Sequence, residues 1–164
     1  MCIRDSGKTG TFANLVITRG SKLMAEGTKS APIVFSSDDE GLDGSGEWGG
    51  LIMHGFAPHN ECAAGGTYCD IDSEGESGFA GGYDADDSSG VLRYVVVAEG
   101  GYEFSTGNEI NGISLVSVGR GTEMDYIQVH GNSDDGIEFY GGTVNVKHGV
   151  FTDNNDDSVD WDEG

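Results

Sequence analysis

The chain has 164 residues, of which 29 are Asp or Glu and 8 are Lys or Arg, for a formal net charge of −21. With 36% hydrophobic residues, 29 glycines and 2 prolines, there is apolar material for one core and an unusual number of points of backbone freedom, so one domain or part of one is the limit. Charge of this sign repels phosphate backbones and anionic bilayers, which excludes nucleic acid as a partner and leaves divalent cations and neutral ligands.

In chain order, Met1-Cys2-Ile3-Arg4-Asp5-Ser6 fits no pattern further on. Residues 1–8 therefore read as a non-native or disordered leader, Cys2 is discounted, and the domain is taken as 9–164. No apolar run reaches the roughly 18 residues of a membrane-spanning helix, so no integral membrane segment is expected. Both ends read as truncated, and other domains of a longer chain are expected partners. Pro32-Ile33-Val34-Phe35 and Trp48-Gly49-Gly50-Leu51-Ile52-Met53 predict short strands. From Ser30 to Leu92 there is no Lys or Arg among many acids, which predicts acidic loops between strands and a Gly-rich insertion at about 57–90.

Inside that insertion, Cys62 and Cys69 are a poor zinc pair and suit a loop-closing disulfide in an oxidising compartment; two unrelated buried thiols are the alternative. The following Asp70-Ile71-Asp72-Ser73-Glu74-Gly75 has the first half of a calcium loop. Its twelfth position is Gly81 rather than Glu, so an EF-hand is excluded, while a loop site of Asp70, Asp72 and Glu74 completed by Asp84, Asp86 or Asp87 stays open. His54 and His59 read as surface residues without a role.

The C-terminal third repeats with a period of 22: Met124 aligns with Val146, Val129 with Phe151, Asn132 with Asn154, Asp134 with Asp156, Asp135 with Asp157, Glu138 with Asp160 and Phe139 with Trp161. Segments such as Leu92-Arg93-Tyr94-Val95-Val96-Val97 are β-branched and bounded by Gly or Asn, with no helical period and no leucine-rich spacing. What remains is an all-β right-handed parallel β-helix whose coils hold two or three short strands. Leu92, Tyr94 and Val97 match Met124, Tyr126 and Val129 at an offset of 32, which predicts a loop of ten extra residues around 100–107. Stacking then predicts inward apolar ladders, an aromatic column Tyr94/Tyr126/His148, and an outer salt-bridged ladder Arg93/Asp125/Lys147.

Lys22-Leu23-Met24-Ala25-Glu26-Gly27-Thr28, Gly46-Glu47-Trp48-Gly49-Gly50-Leu51-Ile52, Asn108-Glu109-Ile110-Asn111-Gly112-Ile113 and the run Asp134 to Asn145 resemble the coil pattern of secreted bacterial right-handed β-helix proteins, often described only as surface proteins or lipoproteins. The resemblance covers roughly Thr9 to the C-terminus. It implies the fold and export, whether outer-membrane associated or extracellular. It singles out no activity, because that superfamily holds polysaccharide lyases, hydrolases, adhesins and proteins of no known activity.

In parallel register the pairs Asp134/Asp156, Asp135/Asp157 and Glu138/Asp160 lie about 4.8 Å apart and repel by roughly 3 kcal/mol each at an effective dielectric near 20. Calcium between them, with oxygens from Asn132 and Asn154, relieves this; Asx-turn residues that bond their own backbone are the alternative. A lyase would need a basic residue to abstract a proton beside the cation, for which Lys147 and Arg120 are the nearest. Tyr140, Tyr102, Phe104 and Trp161 can stack on sugar rings if they face a groove, although Phe139/Trp161 falls on an apolar ladder and inward packing competes. The expectation is an exported, non-catalytic surface, adhesion or carbohydrate-binding module with calcium-binding acidic turns. Its alternative is a calcium-dependent polysaccharide lyase or glycoside hydrolase.

Overall fold

A computed structural model describes residues 2–4, 13–38, 41–72, 74–106 and 108–164; the leader expected over 1–8 lies, apart from Cys2–Arg4, outside them. The strands in chain order are β1 (Cys2–Arg4), β2 (Leu15–Ile17), β3 (Leu23–Glu26), β4 (Ile33–Ser36), β5 (Leu51–His54), β6 (Ile71–Asp72), β7 (Phe79–Ala80) and β8 (Gly90–Ala98). They continue as β9 (Glu103–Ser105), β10 (Asn108–Glu109), β11 (Ile113–Val116), β12 (Glu123–His130), β13 (Ile137–Tyr140), β14 (Asn145–Thr152) and β15 (Val159–Asp162).

Two parallel sheets carry the fold. One runs β1-β4-β8-β12-β14 with β3 also paired to β8, and the other runs β15-β13-β11-β5-β2. The chain alternates between them, so each coil adds one rung to both, which makes the domain a parallel β-helix. The predicted register holds: Met124 pairs with Leu92 and Val146, Val129 with Val97 and Phe151, and Phe139 with Trp161. Side chains alternate in and out along each strand, and the inward rows Leu92/Met124, Val97/Val129, Leu51/Ile113/Ile137 and Met53/Leu115 meet in one core. Trp161 continues the inward row of Phe139, yet it is 73% exposed because β15 is the edge strand of its sheet. The expected inward packing therefore holds for its row and not for its burial.

Where coils meet at corners, glycine is required by geometry. Gly50, entering β5, has φ 98°, and a Cβ there would lie 2.3 Å from the Asn111 carbonyl oxygen of the next coil. A different device bends the long strands. Tyr94, Tyr126 and His148 occupy one position in three successive coils and share positive φ of 49°, 56° and 50°. Left-handed backbone costs a non-glycine residue about 1–2 kcal/mol. The rings stack in return, with centroids 4.4 and 4.3 Å apart and planes within 6°. The aromatic column is thus as predicted, but the charge ladder beside it pairs differently. Arg93 bonds Glu123 and lies 3.6 Å from Glu26, while Asp125 accepts from His148 at 2.6 Å. Long side chains on neighbouring rungs reach better partners than the residue directly opposite.

The insertion forms a small antiparallel pair, β6 with β7, joined through a 3-10 turn at Glu74–Glu76. Its residues lie against the outer side of β5: Ser77 Oγ is 3.2 Å from His54 Nε2, and the Gly81 N–H donates to the Gly55 carbonyl at 3.0 Å. His54 is consequently buried rather than at the surface, and His59 is buried where it meets Glu163 and the Gly141 turn. Burial, with the Arg19 charge nearby, lowers the His54 pKa against the pull of Asp72. The connection between β8 and β11 carries a second antiparallel pair, β9 with β10.

Candidate metal centre

The turn that leaves β12 and enters β13 is built by its own asparagine. Asn132 is fully buried, and its Nδ2 donates to the Asp135 carbonyl at 2.7 Å, closing the turn. The same turn one coil later is tied to it, because the Asn132 N–H donates to Asn154 Oδ1 and the Asp157 N–H donates to Asp135 Oδ1 at 2.8 Å. The turn-building alternative accounts for Asn132 Nδ2 and Asn154 Oδ1, while the buried Asn132 Oδ1 has no hydrogen-bond partner among the described residues. Asp157 joins the stack through its backbone.

The remaining acids converge. Carboxylate oxygens of Asp134, Asp135 and Asp156 lie within 4.8 Å of one another, as do those of Asp135, Glu138 and Asp160, so two triads share Asp135. These groups can hold a metal ion. Glu138 is 8% exposed on the outer side of β13, where Asn111 Nδ2 donates to its Oε2 at 2.6 Å and the Tyr140 hydroxyl donates to the same oxygen. Burial pushes Glu138 up to about 7, against the pull of those two bonds. Burial, then the charges of Asp135, Glu109 and Asp156, raises Asp134 to about 6. Burial likewise raises Asp135, opposed by its bond from Asp157. Crowded, half-dry carboxylates that prefer a proton are what a divalent cation relieves.

Asn111 was not singled out as a site residue, although the sequence carried a signal for it. Asn108-Glu109-Ile110-Asn111-Gly112-Ile113 aligns with Asn132-Ser133-Asp134-Asp135-Gly136-Ile137, which puts an amide where the next coil has the shared acid. The acidic ladder ends at that amide, whose N–H closes over Glu138.

Other expected site residues fall elsewhere. Asp70 is occupied: Arg19 Nη2 lies 2.5 Å from its Oδ1, and Tyr68 donates to its Oδ2. Those bonds hold the Asp70 carboxyl below its ordinary range, with the Tyr68 bond the larger cause. Among the described residues Asp70 and Asp72 join no metal-holding group, and the side chain of Glu74 lies outside those residues. Cys62 and Cys69 form the expected disulfide, Cα atoms 5.5 Å apart. Lys147 and Arg120 do share a cleft of about 490 Å³ with Glu123, Asp125 and Asn145. That cleft is at the start of β14, whereas the acidic turn follows its end at Thr152. Tyr140 is committed to Glu138 and Asn111 through its hydroxyl, Tyr102 is half-buried, and Phe104 and Trp161 are exposed. Among the described residues no helix is long and apolar enough to cross a membrane.

The family model for a pectate-lyase like beta helix domain matches residues 1–164. No curated protein and no solved structure matches the chain.

Proposed function

The chain belongs to the pectate-lyase-like β-helix domain family, and on that premise we propose that it is an exported, non-catalytic glycan-binding surface module whose stacked acidic turns hold calcium. The observation that carries the cation is the pair of carboxylate triads sharing Asp135, with oxygens within 4.8 Å. Calcium takes oxygen ligands at about 2.3–2.6 Å, so one ion spans two such oxygens without strain, and an all-oxygen donor set favours it over zinc or copper. Export is supported by the Cys62–Cys69 disulfide, since such bonds persist in oxidising compartments. The lyase alternative needs a base beside the cation, and Lys147 and Arg120 line the cleft at the far end of β14.

Thermal melting tests the cation. Stabilisation by a ligand of the folded state grows as RT ln(1 + [L]/Kd), about 2.7 kcal/mol at a hundredfold excess over Kd. Calcium is expected to raise the midpoint by several degrees over chelator, and Asp135→Asn to abolish most of that rise. Identical midpoints in calcium and chelator would sink the cation centre.

A further inference from the structure

Two exposed rings, Phe56 just after β5 and Tyr68 on the insertion, are tied into one network of side-chain contacts. Arg19, only 18% exposed in its side chain, donates from Nη1 to the Cys69 carbonyl at 2.7 Å and the Gly81 carbonyl at 2.9 Å, and from Nη2 to Asp70 Oδ1. Its guanidinium carbon lies over the Phe56 ring, 5.2 Å from the ring centre. Asp70 in turn accepts from the Tyr68 hydroxyl. Phe56 is thereby held at one face and Tyr68 at its hydroxyl, yet they remain 40% and 73% exposed. Exposed aromatics normally keep their rotamer freedom; fixing it beforehand removes a cost that binding would otherwise carry.

The charge around the rings restricts what they can take. Arg19 and Asp70 neutralise each other between the Phe56 face and the Tyr68 hydroxyl. Elsewhere the insertion over 57–90 carries Glu61, Asp72, Glu74, Glu76, Asp84, Asp86 and Asp87 with no Lys or Arg. An anionic polymer is repelled from a segment of this charge. Hydroxyl groups find carboxylate acceptors there, and the flat apolar face of a sugar ring matches an aromatic face. Phe79, on β7 opposite Asp72, adds a further ring at 55% exposure.

We propose that Tyr68 on the disulfide-closed insertion and Phe56 beside it, held by Asp70 and Arg19, form the platform on which this module binds a neutral polysaccharide. The proposal rests on the glycan-binding reading and moves the contact away from Tyr140, Tyr102, Phe104 and Trp161. It is independent of the cation.

Affinity electrophoresis of the whole chain through gels containing soluble β-glucan, arabinoxylan, galactomannan or galactan, with polygalacturonate as the anionic control, tests it in both calcium and chelator. At least one neutral polymer is expected to retard the chain in both buffers, and polygalacturonate is not. Tyr68→Ala and Phe56→Ala are each expected to weaken binding roughly five- to tenfold, and Tyr68→Phe less, because the ring stays while its tether goes. Circular dichroism of the same variants checks that the coils are intact. Absence of retardation by every neutral polymer would overturn the platform, as would equal retardation of the double variant and the parent. Binding that vanishes in chelator while the ring variants keep parental affinity would move the glycan to the acidic turns and equally overturn it. Failure of the calcium-dependent melting shift leaves this outcome untouched.

Discussion

Arg19→Ala is expected to release the insertion from the coils while leaving the coils folded. The guanidinium meets three carbonyls, those of Cys69, Ala80 and Gly81, besides the Asp70 carboxylate and the Phe56 ring. Ala80 and Gly81 are buried, so removing the donor leaves their carbonyls without the partner they have in the fold. Charged hydrogen bonds contribute about 1.5–3 kcal/mol each, and a stranded buried acceptor costs about 1–3 kcal/mol. A combined loss of about 3 kcal/mol is a conservative sum for the latch, which is about a hundredfold rise in local opening. The disulfide still closes the loop between Cys62 and Cys69, and chain-entropy arguments give a loop of this size roughly 2–3 kcal/mol. The opening is therefore expected around β6 and β7 rather than throughout the insertion. Hydrogen exchange followed by peptide mass analysis reads it: amides of residues 70–82 exchange about a hundredfold faster, and those of β11–β13 stay protected. Arg19→Lys is not expected to rescue, since an ammonium cannot span these acceptors as a planar fork does. Exchange within a few-fold of the parent would show that the latch carries little.

The metal-free chain is expected to lose stability as pH rises from about 5 to 8, the reverse of ordinary acid unfolding. Glu138 is pushed up to about 7 and Asp134 to about 6, both chiefly by burial. In the unfolded chain such groups titrate near 4. A folded state that binds protons more tightly than the unfolded one is most stabilised below the unfolded value, and that stabilisation is lost as pH climbs through the folded value. For Glu138 the loss is of order 3 kcal/mol; half-exposed Asp134 adds less. Asp70 and Asp125 are held low by their bonds to Tyr68 and His148, so they favour folding above their unfolded range and lose that effect only in stronger acid. Urea unfolding in chelator should give a lower midpoint at pH 8 than at pH 5. Glu138→Gln should flatten the trend, and calcium should restore the midpoint at pH 8. A midpoint that is level or rising over this interval would contradict the crowding of these carboxylates.

The coils were legible because stacking imposes the same environment on the same position. Val129 and Phe151, or Ile137 and Val159, must match in polarity to share a row, and a period of 22 follows directly. The acidic triads were legible for the same reason, since the register that aligns Glu138 with Asp160 also aligns Asp134 with Asp156. What no period encodes is contact between parts that do not repeat. Arg19 meets Asp70 fifty-one residues away, and nothing in either neighbourhood announces the other. Asp70 therefore reads as half of a calcium loop, whereas in the fold its carboxylate pairs with the Arg19 guanidinium. His54 read as a surface residue because the segment that covers it, around Ser77, belongs to the insertion. Trp161 shows the converse: its row follows from the repeat, but its exposure depends on its place at the sheet edge.

Equilibrium dialysis against calcium at pH 7.5, with the parent chain and Asp135→Asn side by side, tests the central claim most directly. Asp135 belongs to both triads, so its loss removes a carboxylate from each at once. The parent is expected to retain bound calcium saturably, and the variant to lose most of it while keeping its β-sheet circular dichroism. Equal calcium bound by parent and folded variant, or none bound by the parent, would contradict a cation centre in the stacked turns.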